Sequence, residues 1–199
     1  ELLANQLTWR GRCCAILRDL MIFLEPIGLS HAAALQPLLE DPAIAATTPF
    51  PSPYPPGGAL AFIAEAIALR GAGTKYAFAV CEPDGCPVGV SLLKDVDRAT
   101  EEAELGYWIG SPYWGHGRAT AAAAATLVFA FDTLGLRAVR AVCLEANPAS
   151  LRVLTKLGFV ETVRFAQDLA KWPEPRPSVE LRLSHEAWRE AQGRSRGEG

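Results

Sequence analysis

A run of five consecutive alanines at residues 121–125 constrains the fold of this chain more than any other feature. Alanine is the best helix former and Gly135 is a typical helix stop, so the pattern predicts a helix over residues 117–134. A run with alternating faces at 101–109 precedes this helix, and a β-rich apolar run at 138–144 follows it. A strand, a helix and a strand in this order predict a crossover unit of an α/β domain.

The remaining segments predict one domain. Further strands are expected at 20–24, 76–81, 88–93, 159–164 and 178–183, and further helices at 30–39, 59–70 and 149–157. We therefore predict an α/β (α+β) fold with a mixed central sheet of six or seven strands and about four flanking helices. The domain would cover residues 20–184, between an unassigned N-terminal extension at 1–19 and a C-terminal tail at 185–199 that is frayed from residue 193.

Composition and charge exclude several classes of protein. Hydrophobic residues make up 50% of the 199 residues and charged residues 21%, which is unlike a disordered chain or a coiled coil. The net charge is −3 and there is no basic run, so no nucleic-acid partner is expected. The uncharged stretch at 119–131 would span only about 20 Å as a helix, whereas a bilayer core needs ~30 Å. No membrane partner is expected, and the protein would be a monomer or a homodimer.

The cysteines predict neither a disulfide framework nor a metal site. There are five, an odd number, without framework spacing. Cys81 and Cys86 flank a turn-like segment at 83–85, but neither a second pair nor a nearby histidine completes a zinc site. Because Arg18 and Asp19 interrupt the apolar run near the N-terminus, that run is a poor signal sequence. We expect a reducing, cytoplasmic location.

A glycine-containing loop between the strand at 101–109 and the long helix is the strongest local indication of a ligand. Residues 113–120 read Tyr-Trp-Gly-His-Gly-Arg-Ala-Thr. The first amides of a helix lack internal partners and the helix dipole is positive there, so a diphosphate is the natural ligand. A dinucleotide fingerprint requires Gly or Ala where Thr120 stands, and a Walker motif requires Lys where Arg118 stands. A glycine-rich helix start without a ligand is the alternative.

Three motifs occur together in a fixed order. They are Glu-Leu-Gly-Tyr-Trp-Ile at 104–109, Trp-Gly-His-Gly-Arg-Ala-Thr at 114–120, and a run at 147–159 that contains Asn147 and Ser150 and ends in Lys-Leu-Gly-Phe. With these motifs the chain resembles the GNAT superfamily of acyl-CoA N-acyltransferases over residues 18–184. Within it, the chain is most similar to the ribosomal-protein N-terminal alanine and serine acetyltransferases. The resemblance implies acetyl-CoA as the cosubstrate and direct acetyl transfer to an amine in a ternary complex.

The resemblance also implies how acetyl-CoA is bound. The loop would hold the pyrophosphate, mainly through its backbone; its residues are Trp114, Gly115, His116, Gly117, Arg118, Ala119 and Thr120. Trp114 stands where the family usually has Arg or Gln, and His116 is either a solvent-facing spacer or a phosphate contact. The strand before the loop would splay from its neighbour. Its Trp108, Ile109 and Gly110 would then offer backbone groups to pantetheine, and Asn147 would cap a helix and contact the same arm.

Catalysis requires a base for the ammonium and an acid for the leaving thiolate. Glu104 is the expected base and Glu102 the second choice, while a solvated carboxylate without a role is the alternative. Many members place a tyrosine acid where this chain has Leu154, so the resemblance implies Ser150 instead, unless Ser150 only bonds backbone at a helix start. The proline-rich loop containing residues 50–54 corresponds to the part of the family that grips the acceptor, and a plain surface turn is the alternative. The rival functions are an antibiotic- or polyamine-type acetyltransferase and a catalytically silent acyl-CoA-binding module.

Overall fold

The computed structural model describes residues 22–197, with side chains as far as residue 193. The predicted extension at 1–19 and residues 20–21 of the predicted domain lie outside the described residues. The described chain forms seven strands: β1 Phe23–Pro26, β2 Tyr76–Cys81, β3 Pro87–Asp97, β4 Glu102–Ile109, β5 Ala138–Leu144, β6 Val160–Gln167 and β7 Arg176–Ser184. It also forms six α-helices: α1 Ala32–Leu39, α2 Pro42–Thr47, α3 Gly58–Gly71, α4 Arg118–Val128, α5 Pro148–Lys156 and α6 His185–Gly197.

All seven strands belong to one mixed sheet, in the order β1-β2-β3-β4-β5-β7-β6. Strands β1 to β4 are antiparallel neighbours, and the turn predicted at 82–85 joins β2 to β3. β4 and β5 run parallel, because α4 carries the chain back across the sheet between them. β7 lies between β5 and β6 and is antiparallel to both. The predicted α/β class with a mixed sheet is confirmed.

The two central strands pair only at one end. β4 and β5 pair over three residues, and the pairing ends where Glu104 lies beside Arg140. Beyond that point β4 continues to Ile109 and β5 to Leu144 without pairing to each other. The predicted splayed pair is therefore confirmed, and it leaves an opening in the middle of the sheet.

A separate hydrophobic core covers each face of the sheet. One core packs α4, α5 and α6 against side chains that include Leu105 and Ile109. The other packs α1, α2 and α3 against the opposite face, where Trp108 is 5% exposed. Successive residues of β4 therefore point to opposite cores, as the alternation at 101–109 predicts. We refer to these two sides as the α4–α6 face and the α1–α3 face.

The helices differ from the sequence prediction at two places. α2 has only six residues and so shows no helical period, but Asp41 caps it by accepting a hydrogen bond from the Ala43 N–H at 2.9 Å. α6 occupies most of the predicted tail at 185–199. This helix is attached to the domain, since Trp188 is 5% exposed and its ring lies 5.9 Å from that of Phe131.

The elements around the central crossover agree closely with the prediction. β2 and β5 have the predicted bounds, 76–81 and 138–144. The long helix predicted over 117–134 is α4 followed by a π-helical turn at Phe129–Thr133. Among residues 22–197, no helix combines the length and the apolar character that a membrane span requires.

Candidate active site

The N-terminus of α4 presents a series of free backbone amides. Within the described residues, no hydrogen bond uses the N–H groups of residues 115–120. Gly115 and Gly117 have φ angles of 81° and 75°, left-handed values that glycine adopts without strain, and they turn the chain into the helix. Ala119 and Thr120 contribute their amides from the first helical turn. Unpaired amides at a helix N-terminus bind anions, so the loop fits a diphosphate.

The side chains of this loop are directed toward the protein. The Trp114 indole donates a hydrogen bond to the Ile109 carbonyl, with 2.6 Å between the two atoms, although Trp114 is 47% exposed. His116 Nδ1 lies 2.7 Å from the Trp114 carbonyl oxygen, and Arg118 forms an ion pair with Glu82. These contacts hold the loop in place and leave its backbone to bind an anion. A phosphate contact by the His116 side chain stays a prediction.

Backbone groups of β4 line the opening beside β5. The Gly110 N–H donates to the Val88 carbonyl at 2.8 Å, and the Gly110 carbonyl also has a partner within the chain. Because bonded and non-bonded positions alternate along an antiparallel pair, Trp108 directs its backbone groups toward β3 as well. Tyr107 and Ile109 direct theirs toward the opening. The register thus leaves the N–H groups of Tyr107 and Ile109 facing the opening, and those of Trp108 and Gly110 facing β3. Pantetheine contacts by Trp108, Ile109 and Gly110 stay predictions.

Asn147 and Ser150 lie where β5 leads into α5. Asn147 Oδ1 accepts a hydrogen bond from the Ser150 N–H at 3.1 Å, so Asn147 caps α5. The Ser150 hydroxyl lies 2.9 Å from the hydroxyl of Tyr107, which is in the splayed part of β4. The structure therefore places Ser150 beside the opening, with its hydroxyl directed at a side chain of β4.

Glu104 is buried at the point where β4 and β5 begin to separate. It is 8% exposed; Oε1 lies 2.7 Å from Lys94 Nζ and Oε2 lies 2.9 Å from Arg140 Nη1. This burial contradicts the alternative of a solvated carboxylate. Each carboxylate oxygen accepts two hydrogen bonds, so one position on each remains for water or an amine. Glu102, the second choice, pairs with Arg182 in the fully paired part of the strands.

The two expected catalytic groups lie on opposite faces of the sheet. Glu104 shares the α1–α3 face with Trp108, whereas Tyr107 and Ser150 belong to the α4–α6 face. α4 and its glycine loop are also on the α4–α6 face. A thioester in the opening would therefore have its sulfur on the side of Ser150 and its carbonyl carbon accessible from the side of Glu104.

The proline-rich loop covers the α1–α3 face next to β4. The ring of Phe50 forms edge-to-face contacts with Tyr54 at 5.7 Å and with Trp108 at 6.1 Å. Lys171 lies in the loop between β6 and β7. It donates hydrogen bonds to three carbonyls where α2 leads into the proline-rich loop, those of Ala45, Thr48 and Phe50. Burial lowers the pKa of Lys171. The start of the proline-rich loop is thus held by ring contacts to Trp108 and by hydrogen bonds from Lys171, a residue distant in sequence.

A group of potential metal ligands lies away from this site. Atoms of Glu25, His31 and Cys81 lie within 4.8 Å of one another. His31 Nδ1 accepts a hydrogen bond from the Gly28 N–H, so the neutral ring carries its hydrogen on Nε2, 3.4 Å from Glu25. Burial raises the pKa of the Cys81 thiol to about 12, which keeps it protonated at neutral pH. His31 and Glu25 thus lie within reach of each other, and Cys81 remains a protonated thiol.

The order of elements, the splayed strands and the glycine loop describe an acyltransferase architecture, and comparison with family models identifies it. Residues 22–160 match the model described as the Acetyltransferase (GNAT) domain. The chain belongs to this family. The matched GNAT region contains β4, the glycine loop and α5, and so includes Glu104, Asn147 and Ser150.

Among curated proteins, this GNAT chain is similar to YdaF of Bacillus subtilis (strain 168), which is named provisionally as a ribosomal N-acetyltransferase. The two are 35% identical over 78 residues, which cover 39% of this chain and 43% of YdaF. The match therefore spans less than half the length of that relative.

Solved structures show the same GNAT fold. RimJ of Mycobacterium smegmatis, solved in complex with CoA-disulfide, is 23% identical with a TM-score of 0.77 over 88% of this chain and 90% of RimJ. The spermidine N-acetyltransferase of Vibrio cholerae, solved with CoA and spermine, is 16% identical with a TM-score of 0.75 over 84% of this chain and 98% of that enzyme. At these identities the likeness establishes the fold.

Proposed function

We propose that this GNAT protein transfers an acetyl group from acetyl-CoA to a primary amine, either a protein N-terminus or a small amine. The observation that carries the proposal is the opening between β4 and β5, which begins at Glu104 and widens toward the loop at 115–120. Strand amides without partners are costly unless a ligand pairs with them. An extended amide-containing arm attached to a diphosphate satisfies both the strand and the loop, and CoA has this chemistry.

Binding would use backbone groups on the α4–α6 face. The amides of residues 115–120 would hold the diphosphate, and the N–H groups of Tyr107 and Ile109 would pair with pantetheine. One of these strand amides would also stabilise the negative charge that develops on the thioester oxygen during attack. Asn147, at the start of α5, would contact the same arm.

The chemistry would take place between the two faces. Glu104 would accept a proton from the ammonium, directly or through one water, so that the free amine attacks the thioester carbon. As the C–S bond breaks, the Ser150 hydroxyl would stabilise the sulfur by a hydrogen bond. The acceptor would enter from the α1–α3 face, beside Phe50.

A cysteine intermediate is not part of this proposal. Cys143 lies near Ser150 and is 5% exposed, and burial raises the pKa of its thiol. A thiol that stays protonated is a poor nucleophile, which favours direct transfer in a ternary complex. Cys81, Cys86 and Cys143 are all unpaired, which supports the proposed reducing, cytoplasmic location.

The function is tested by incubating the protein with acetyl-CoA and a panel of N-terminal peptides, polyamines and aminoglycosides. Mass spectrometry would follow both CoA release and the acetylated amine. We expect release that depends on one class of amine. Binding of acetyl-CoA without release for any amine would refute acetyl transfer and identify a silent acyl-CoA-binding module.

The role of Ser150 as a hydrogen-bond donor to the leaving sulfur predicts a moderate effect on turnover. Ser150→Ala should lower kcat about tenfold to a hundredfold, because stabilising a thiolate of pKa around 8.5 is less demanding than deprotonating an ammonium. The affinity for acetyl-CoA, measured by calorimetry, should stay nearly unchanged. Thr155→Ala, which removes an exposed hydroxyl from the same helix, is the control. Full activity of Ser150→Ala would show that Ser150 has no part in catalysis and serves only at the start of α5.

Loss of the Lys171 ammonium should affect the acceptor and leave acetyl-CoA binding unchanged. Lys171→Met removes the donor shared by the three carbonyls that lead from α2 into the proline-rich loop. We therefore expect the acceptor KM to rise about tenfold, equivalent to ~1.4 kcal/mol. The KM for acetyl-CoA should not change. Lys75→Met, which removes an ammonium paired with Glu65 on α3, is the control. An unchanged acceptor KM would show that this loop does not contact the acceptor.

A further inference from the structure

Tyr107 connects the splayed strand to the helix that carries Ser150. Its side chain reaches across the opening to α5, where its hydroxyl lies 2.9 Å from Ser150 Oγ and 3.3 Å from the Ser150 carbonyl oxygen. The two residues are 43 positions apart in the chain. This contact lies beside the opening in which the proposed reaction takes place, yet the mechanism above gives the Tyr107 side chain no role.

Either hydroxyl can donate in the contact between Tyr107 and Ser150, and the two arrangements place the serine hydrogen differently. A serine hydroxyl has one hydrogen to donate and accepts two hydrogen bonds. Burial raises the pKa of Tyr107 well above its ordinary value, so the phenol keeps its proton at neutral pH and can donate it to Ser150 Oγ. When Tyr107 donates to Ser150 Oγ, the serine hydrogen is left for another acceptor.

The position of Ser150 is fixed from both sides. Its N–H donates to Asn147 Oδ1, which holds the backbone at the first turn of α5. Its hydroxyl contacts Tyr107 of β4 and also forms a hydrogen bond with the Cys143 side chain, whose place as partner the sulfur of CoA would take. The serine hydroxyl must be turned toward the sulfur in order to donate to it. A contact with Tyr107 that holds the serine in this rotamer lowers the conformational entropy that Ser150 loses during turnover.

We propose that Tyr107 is a positioning residue, which orients the Ser150 hydroxyl so that its hydrogen is directed at the sulfur of CoA. This role rests on the function proposed above. While the C–S bond breaks, its electron pair moves to sulfur and accepts the hydrogen bond from Ser150. No bond of Tyr107 forms or breaks, and the thiolate finally takes its proton from solvent.

A double-mutant cycle tests this role in the full chain. The variants are Tyr107→Phe, Ser150→Ala and the double variant; Tyr107→Phe removes one oxygen and keeps the ring. Tyr107→Phe should lower kcat about tenfold, equivalent to ~1.4 kcal/mol, and leave the KM and calorimetric affinity for acetyl-CoA within about twofold. In the Ser150→Ala background it should have almost no further effect, because the residue it orients is gone. Tyr76→Phe, which removes a phenol hydroxyl on β2, is the control.

The cycle separates positioning from structural support. If the two losses multiply in the double variant, or if Tyr107→Phe weakens acetyl-CoA binding as strongly as it slows turnover, the hydroxyl only braces β4 against α5 and the proposal is wrong. An unchanged kcat also overturns it. If the wild-type protein acetylates no amine of the panel, the proposed function fails and this role fails with it. If the wild-type protein acetylates an amine but the two substitutions lower kcat independently, the proposed function stands and only the role of Tyr107 is overturned.

Discussion

Replacing Gly117 with valine should weaken CoA binding by at least about a hundredfold, equivalent to ~2.8 kcal/mol. Gly117 has a φ of 75°, a conformation in which a β-branched residue is strongly strained. The loop would have to leave this conformation, and the unpaired amides of residues 115–120 would no longer converge on one anion. Titration of CoA and acetyl-CoA by calorimetry measures the loss directly.

A matched variant distinguishes a specific loss of CoA binding at the loop from a general loss of stability caused by backbone strain. Gly135 follows the π-helical turn after α4 and has a φ of 67°, and no atom lies within 4 Å of where its Cβ would be. Gly135→Val therefore carries similar strain far from the loop, and it should lower the melting temperature without changing CoA affinity. Thermal unfolding of both variants establishes that they fold. A folded Gly117→Val protein with wild-type affinity would show that CoA binds elsewhere.

Local sequence signals predicted the central part of the fold. β2 and β5 are runs of β-prone residues with turn signals at both ends, and each has the predicted bounds. The helix at residues 42–47 is too short to show periodicity. Helix α6 has a polar composition, and it is attached to the domain by the buried Trp188 and by His185, whose ring stacks on that of Phe131 at 5.0 Å. Such tertiary contacts cannot be derived from local patterns.

The candidate site shows the same division between local and tertiary information. The proposed anion-binding loop depends on two glycines and the start of one helix, which are adjacent in sequence. The direction of backbone groups along β4 depends on its register with β3, which a single strand does not reveal. The contact between Tyr107 and Ser150 likewise joins distant segments. The alternation at 101–109 predicted the two faces of β4, but which helices cover each face had to be observed.

The second large effect concerns Glu104. Glu104→Gln should lower kcat about 10²–10⁴-fold at pH 7, the range typical of general acid–base catalysis, because the amide cannot accept a proton. Glutamine has nearly the same shape, and its amide oxygen still accepts a hydrogen bond from Lys94 or Arg140. The affinity for acetyl-CoA should therefore change little, and steady-state kinetics with saturating acetyl-CoA measure the loss.

The dependence on pH distinguishes a base from an ion-pair partner. Proton removal limits the reaction only while the amine is protonated, so the deficit of Glu104→Gln should shrink as the pH rises toward the pKa of the acceptor amine. If Glu104 serves only to pair Lys94 with Arg140, the deficit should not depend on the pH and should accompany a lower melting temperature. Glu102→Gln is the matched control, since it removes a carboxylate from the same face of the same strand that also pairs with an arginine. Wild-type turnover by Glu104→Gln at pH 7, together with a slow Glu102→Gln variant, would transfer the role of the base to Glu102; wild-type turnover by both would leave proton removal to water.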